Sequence, residues 1–289
     1  MTRAGRMALF LFVWLSPIFS CGPAEGGPNV PFGRAQMPAQ GQDTVPDVLV
    51  PASVVPPPAG MAEERHLEFS MEYIMGRFDP AVHPDFVPVD PMYADGEGYY
   101  LRRDAYDSFR RMWAAAQSDG IRLTIISATR NFQRQKQIWE AKWTGMRKIE
   151  NGANAAEKYP DPRVRALKIL EYSSMPGTSR HHWGTDLDLN DLDNYTFEHG
   201  QGRKVYEWLQ AHAAEYGYCQ PYTARGIARP EGYNEEKWHW SYAPVSRELT
   251  RLAGSRLRDE MIDGFEGAET AKNIGVVRKY VLGVNEDCR

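Results

Sequence analysis

Pro176-Gly177-Thr178-Ser179-Arg180-His181-His182-Trp183-Gly184-Thr185-Asp186-Leu187-Asp188 is the run around which the chain can be read. From Gly184 to Leu189 polar and apolar residues alternate, which is the period of a strand. On that period Asp186 and Asp188 share one face and the side chains flanking them share the other. Upstream, Leu101, Ala105, Phe109, Met112, Trp113 and Ala116 recur at helical spacing, and Gly120 can end that helix. Residues 121–127 are rich in β-branched types and read as a buried strand. Asn131 opens a polar helix, studded with aromatic residues, through about Trp143, and residues 164–172 read as another. Downstream, Val205, Trp208, Leu209, His212 and Tyr216 share a helical face, and residues 238–242 read as a strand. Two terminal helices are expected at about 245–261 and 268–282. Strands separated by varied helices, without regular alternation, predict an α+β fold with a small, largely antiparallel sheet flanked by helices.

Composition sets the outer limits. With 289 residues, 42% hydrophobic and 12% aromatic, the chain can bury a real core and is not wholly disordered. Lys+Arg 34 against Asp+Glu 38 gives a net charge of −4, so bulk charge argues against a nucleic-acid partner. Three cysteines are too few for a disulfide scaffold and match no zinc-finger spacing. At the N-terminus, Arg3 and Arg6 precede the uncharged stretch Ala8 to Leu15, which is short for a bilayer span and suits a secretory signal. Ile18-Phe19-Ser20-Cys21 resembles the cleavage site of a bacterial lipoprotein, although Phe19 is bulky for that pattern. Residues 1–21 are therefore expected to export the protein, with lipidation of Cys21 anchoring it to a membrane in the cell envelope. An ordinary secretory signal is the alternative. Residues 22–62, dense in Pro and Gly and including Pro56-Pro57-Pro58, read as a semi-stiff tether. The remainder, 63–289, is expected to be one domain. Cys219 and Cys288 would both be exported and are expected to pair, with two buried thiols as the alternative.

Three segments carry chemistry: Ser127 to Gln135, Pro176 to Asp188, and Glu235 to Tyr242. Two imidazoles and a carboxylate, from His181, His239 and one of the two aspartates, suit Zn²⁺ with a fourth position left for water. Gly184 lets the chain turn between His181 and the aspartates. Spacing alone does not choose between Asp186 and Asp188. Glu236, three residues before His239, can sit beside the ion and serve as general base and acid. Taken singly, each of these side chains is more often structural or solvated. Their clustering between glycine and tryptophan is what singles them out. His66, His83, His199 and His212 lack such company, and His182, adjacent to His181, is expected to be packing or support. Arg130 follows a buried strand, and its guanidinium fork suits a free C-terminal carboxylate; a surface ion pair is the plainer reading. Trp183, Trp238 and Trp240 can line a cleft or fill the core.

The order Ser-x-His-x-x-Gly-x-x-x-Asp, then Glu-x-Trp-His, resembles the VanY-type D-alanyl-D-alanine carboxypeptidases. These are zinc peptidases grouped with lysostaphin and the D-Ala-D-Ala dipeptidases. The Ser-x-x-Arg-x-x-x-x-Gln segment is similar to that family's substrate-binding segment. The resemblance spans Ser127 to Tyr242 and implies a LAS/hedgehog-like zinc peptidase fold holding one Zn²⁺ per chain. By position it implies His181, Asp188 and His239 as ligands and Glu236 as catalytic base. Arg130 would hold the terminal carboxylate, with Gln135 and Ser179 close to the peptide. The implied partners are peptidoglycan stem peptides. An L,D-carboxypeptidase or an endopeptidase on the same fold would carry the same motifs, and a non-catalytic wall-binding module would not need Glu236. Asp186 stands where the family often has a small residue, which puts substrate detail in doubt.

Overall fold

The face that carries the polar motifs belongs to a four-stranded sheet. The computed structural model of the chain describes residues 69–150 and 152–289; the signal segment, Cys21, the tether and His66 lie outside the described residues. A short helix α1 (Met71–Ile74), capped by the Ser70 hydroxyl, leads to an antiparallel pair, β1 (Phe86–Pro88) and β2 (Tyr100–Arg102). Then come α2 (Arg103–Ser118), β3 (Ile125–Ser127), α3 (Phe132–Trp143), α4 (Ala155–Lys158) and α5 (Pro162–Ile169). β4 (Asp186–Leu189), α6 (Gly200–His212), β5 (Tyr218–Cys219), β6 (His239–Tyr242), α7 (Ala243–Arg256) and α8 (Thr270–Ile274) complete the order. The sheet runs β3-β4-β6-β5 and every pair in it is antiparallel, so the α+β expectation holds.

Register explains how the sheet sorts its side chains. Asp186 faces Ser241, Leu187 faces Trp240, and Asp188 faces His239 across the β4–β6 pair. With a period of two, the polar residues of both strands fall on one face. The apolar ones, Leu187, Leu189 and Trp240, fall on the other and pack with Phe109, Met112 and Leu209 from α2 and α6. A second core, with Trp139, Trp143, Leu249 and Val281, joins α3, α7 and the C-terminal turns. Trp183 belongs to that second core and Trp240 to the first, so both are packing residues.

Several boundaries differ from the sequence expectation, for identifiable reasons. Leu101 lies in β2, and the helix begins at Arg103. The strand expected at 121–127 is regular only from Ile125. Before it the Asn190 side chain takes over the pairing, accepting from Thr124 N at 3.1 Å and donating to Arg122 O at 2.8 Å. The helix expected at 245–261 stops at Arg256, and a 3₁₀ turn, Asp259–Met261, follows. The helix expected at 268–282 is broken at Gly275, whose φ of 76° is left-handed, and a π-type turn, Val277–Val281, follows. Helical periodicity alone cannot see such a break, because the apolar face continues across it.

Cys219 in β5 is bonded to Cys288 in the last turn. Closing a loop of 69 residues is worth about 4 kcal/mol in the chain-entropy account.

Candidate active site

His181 enters the site from a 3₁₀ turn, Arg180–Trp183, that is stitched to the end of β3. Arg130 N donates to His181 O at 3.1 Å, and His182 Nδ1 donates to Arg130 O at 2.5 Å. His182 Nε2 accepts from Gly177 N at 3.0 Å. With both nitrogens engaged, His182 has no lone pair to offer a metal, and burial lowers its pKa to about 3. It supports the turn, as expected from its place beside His181. The turn ends at Gly184, with φ of 74°, where an added Cβ would lie 2.3 Å from Phe86 Cε1. Only glycine fits there, and β4 starts two residues on.

Three donor atoms converge. Asp188 Oδ1 lies 3.3 Å from His181 Nε2 and 3.3 Å from His239 Nδ1. The three donors all fall within 4.8 Å of one another, and all three residues are buried. The other nitrogen of each ring is already committed. His181 Nδ1 donates to Ala128 O at 2.8 Å, and His239 Nε2 donates to Asp186 Oδ2 at 2.9 Å. A neutral imidazole carries one proton, so these bonds make His181 Nε2 and, once its second proton is lost, His239 Nδ1 the nitrogens that can offer a lone pair to the centre. His181 Nε2 and Asp188 Oδ1 have no hydrogen-bond partner although fully buried. Buried polar atoms are normally paired, so the pair calls for a cation. A tetrahedron with bonds of about 2.0–2.1 Å has edges of about 3.3 Å, the distance from Asp188 Oδ1 to each of the two imidazole nitrogens. The donor set therefore fits zinc.

The same geometry distinguishes the two aspartates. Asp186 is fully buried, and its oxygens accept from Arg180 Nε (2.9 Å), His239 Nε2 (2.9 Å), Thr185 Oγ1 (2.7 Å) and Ser241 Oγ (2.7 Å). It has no acceptor position left for a metal, and it neither faces solvent nor adds a charge to the cleft.

Glu236 Oε2 lies 3.2 Å from His239 Nδ1, beside the converging donors. Its neighbour Glu235 turns outward, 3.9 Å from Lys237 Nζ. Arg130 stands across Asp188, with Nη1 3.5 Å from Oδ2. Arg130 Nη1 also donates to Ser127 Oγ at 2.7 Å, and Nε donates to Gln135 Oε1 at 3.0 Å. Arg130 Nη2 has no hydrogen-bond partner among the described residues. These residues line one cleft of about 740 Å³, together with Ser179, Tyr222, Tyr233 and Trp238. Ser179 Oγ, Thr129 Oγ1 and Tyr233 Oη are buried there without a hydrogen bond, and the Ser174 and Thr178 side chains stand beside Tyr233.

Electrostatics follows from burial and pairing. Burial opposes the charge on Asp188, but His181, His239 and Arg130 outweigh it and hold its carboxyl well below the usual range. Burial and the Arg130 charge lower His181. Burial also opposes the charge on His239, yet its hydrogen bonds to Asp186 and Glu236 raise it to about 9. Burial pushes the Glu236 carboxyl up.

All seven residues singled out from the sequence line this one cleft. Gln135 is 1% exposed, with both ends of its amide used, on Arg130 and on Ser174 O at 2.8 Å. Through that contact it supports the Arg130 guanidinium. Sequence reasoning missed Arg180, Tyr222, Tyr233 and Lys142. The Tyr222 ring meets His239 edge-on at 4.9 Å. Lys142 reaches the cleft with Nζ on Ser173 Oγ (2.6 Å) and Glu150. Arg180 had one available signal, a cation inside the motif and six residues before an unexplained acid. His83, His199 and His212 lie outside the cleft.

Residues 98–245 match the family model described as VanY, D-alanyl-D-alanine carboxypeptidase. A D-alanyl-D-alanine carboxypeptidase of Enterococcus faecalis is 25% identical over 152 residues, 53% of this chain and 51% of that protein. The chain spans about half the length of the curated relatives it matches. Among solved structures, a VanY D,D-pentapeptidase variant in complex with Zn(II) superposes with a TM-score of 0.41 and 22% identity. That match covers 57% of this chain and 87% of the other. The LdcB LD-carboxypeptidase superposes with a TM-score of 0.44 and 22% identity, covering 61% and 75%.

Proposed function

The chain belongs to the VanY family of D-alanyl-D-alanine carboxypeptidases, and we propose on that premise that it is a zinc-dependent enzyme removing the terminal D-alanine from peptidoglycan stem peptides. The observation that carries the proposal is the meeting, in one cleft, of three buried donor atoms within 4.8 Å of one another, a buried carboxylate beside them and a guanidinium with a free edge. His181 Nε2, Asp188 Oδ1 and His239 Nδ1 hold one ion. When bound, the ion polarises the scissile carbonyl and lowers the pKa of the attacking water. Glu236 accepts the proton of that water and returns it to the departing amine. Three ligands with an acid alongside is a catalytic donor set, since a structural zinc takes four protein ligands.

Arg130 decides which bond is cut. Its Nη2 edge binds the terminal carboxylate, while Ser127 and Gln135 hold the guanidinium in plane. Ser179 Oγ and Thr129 Oγ1, unpartnered and buried, offer donors to the peptide backbone. A stem peptide with an amidated C-terminus is expected to be turned over at least tenfold more slowly than the free acid. Arg130→Lys keeps the charge but loses the fork, and is expected to weaken hydrolysis of the free acid too. Mass spectrometry of products from defined peptides reads both. Equal cleavage of the amide and the acid would mean an endopeptidase.

The same proposal places the domain outside the cytoplasm, carried by the Arg3/Arg6 and Ala8–Leu15 signal and tethered through Cys21. Cys21→Ser is expected to move the protein out of the detergent-extracted membrane fraction or leave it unprocessed. An intact mass showing an unmodified N-terminus downstream of Cys21 would remove the anchor and leave export standing.

A further inference from the structure

His181 Nε2 and His239 Nδ1 both face the centre, but the two rings are oriented by different means. His181 is held by a main-chain carbonyl, that of Ala128. His239 is held by a side chain, the Asp186 carboxylate, at 2.9 Å. That carboxylate is anionic in a site without solvent, and an ion is matched to it. The Arg180 side chain, like that of Asp186, is 0% exposed, and Arg180 Nε donates to the same Oδ2 that receives the His239 proton. The rest of the guanidinium is fully used: Nη1 donates to Thr250 Oγ1 at 2.8 Å and Nη2 to Ser241 Oγ at 2.8 Å. Its plane lies over the Trp183 ring, 4.7 Å from the centroid. Ser241 in turn donates to Asp186 Oδ1. Strands β4 and β6, helix α7 and the 3₁₀ turn that carries His181 all contribute to this cluster.

We infer that Asp186, locked by Arg180, is the positioning residue of the metal centre: it keeps the His239 proton on Nε2 and thereby makes Nδ1 the metal donor. The inference rests on the reading of His181, Asp188 and His239 as a metal centre. Its physical content is a choice between tautomers. Without a fixed acceptor at Nε2, the imidazole proton is free to sit on Nδ1, where Asp188 and Glu236 both accept, and the lone pair then points away from the ion. A carboxylate behind a ligand histidine also increases its basicity, and loss of such a partner typically costs about 10–100-fold in metal affinity. Arg180 keeps the arrangement neutral as a unit. Removing either partner alone strands a buried charge, whereas removing both does not.

The test uses the full chain and measures zinc affinity by competition with a chromophoric chelator, beside the thermal melt of the metal-free protein. Asp186→Asn, and the double variant Arg180→Gln with Asp186→Asn, are expected to bind zinc about 10–100-fold more weakly than wild type. The double variant is expected to melt closer to wild type than Asp186→Asn does. Wild-type zinc affinity in a folded double variant would overturn the inference while leaving the metal centre intact. No zinc binding by wild type would overturn the metal centre and the inference with it. Should neither variant fold, the nitrogen-15 spectrum of zinc-loaded wild type decides. A slowly exchanging proton on His239 Nε2 supports the assignment, and a proton on Nδ1 overturns it.

Discussion

Glu236→Gln is expected to lower turnover of a D-Ala-D-Ala-terminated stem peptide by about 10²–10⁴-fold, the range of a lost general acid–base group, with zinc content unchanged. The amide keeps the size of the side chain and its place beside His239 but accepts no proton at the working pH. The carboxylate is suited to both halves of the reaction because it is buried. Burial raises its pKa from the ordinary glutamate value, so the carboxylate is a stronger base towards the water, and once protonated it is still acid enough to hand that proton to the more basic departing amine. The direction of the pH profile follows. Below the raised pKa Glu236 is protonated and cannot take the proton of the water. The acid limb of kcat/KM is therefore expected at higher pH than an exposed glutamate would give. Glu235→Gln is the control, since Glu235 faces Lys237 at the surface, and its turnover is expected to stay near wild type. If Glu235→Gln abolishes activity and Glu236→Gln spares it, the register assigned to this motif is wrong by one residue.

How much of this could be read beforehand depends on the range of the interaction. The alternation over 184–189 is local, and it correctly put Asp186 and Asp188 on one face of a strand. What separates the two aspartates is not local. It depends on Arg180 arriving from the preceding turn, Ser241 from β6 and His239 across the register, none of which a period of two can encode. Gln135 illustrates the same limit. Its spacing from Arg130 marks it as part of the site, but only the fold puts the Ser174 carbonyl behind it and turns it into a support for the guanidinium. The break at Gly275 and the early end of the 243–256 helix were hidden because hydrophobic periodicity reports burial, not backbone continuity. Tyr222 and Tyr233 sit in irregular chain, where no period singles them out.

Loss of either histidine ligand has the largest expected effect. His181→Ala and His239→Ala are each expected to leave less than a tenth of the wild-type zinc by elemental analysis after dialysis, and no measurable hydrolysis. The two histidines differ in what the ion must displace. His181 is lowered by burial and by Arg130, so at pH 7 it is already neutral and its Nε2 is open. His239 without metal is raised to about 9 and is protonated at pH 7, with Nδ1–H between Asp188 and Glu236 and Nε2–H on Asp186. Asp188, held well below the usual carboxylate range, is ionised throughout. Loading the site at neutral pH therefore removes one proton from His239, the one on Nδ1. Apparent zinc affinity is expected to rise about tenfold per pH unit from pH 6.5 to about 9 and to level off above it, because the competing proton is then gone. Titration of the metal-free protein with zinc against a chelator of known pH dependence measures the slope. A flat profile over that window would mean that His239 is neutral before the ion arrives, and full zinc retention in both alanine variants would remove these residues as ligands.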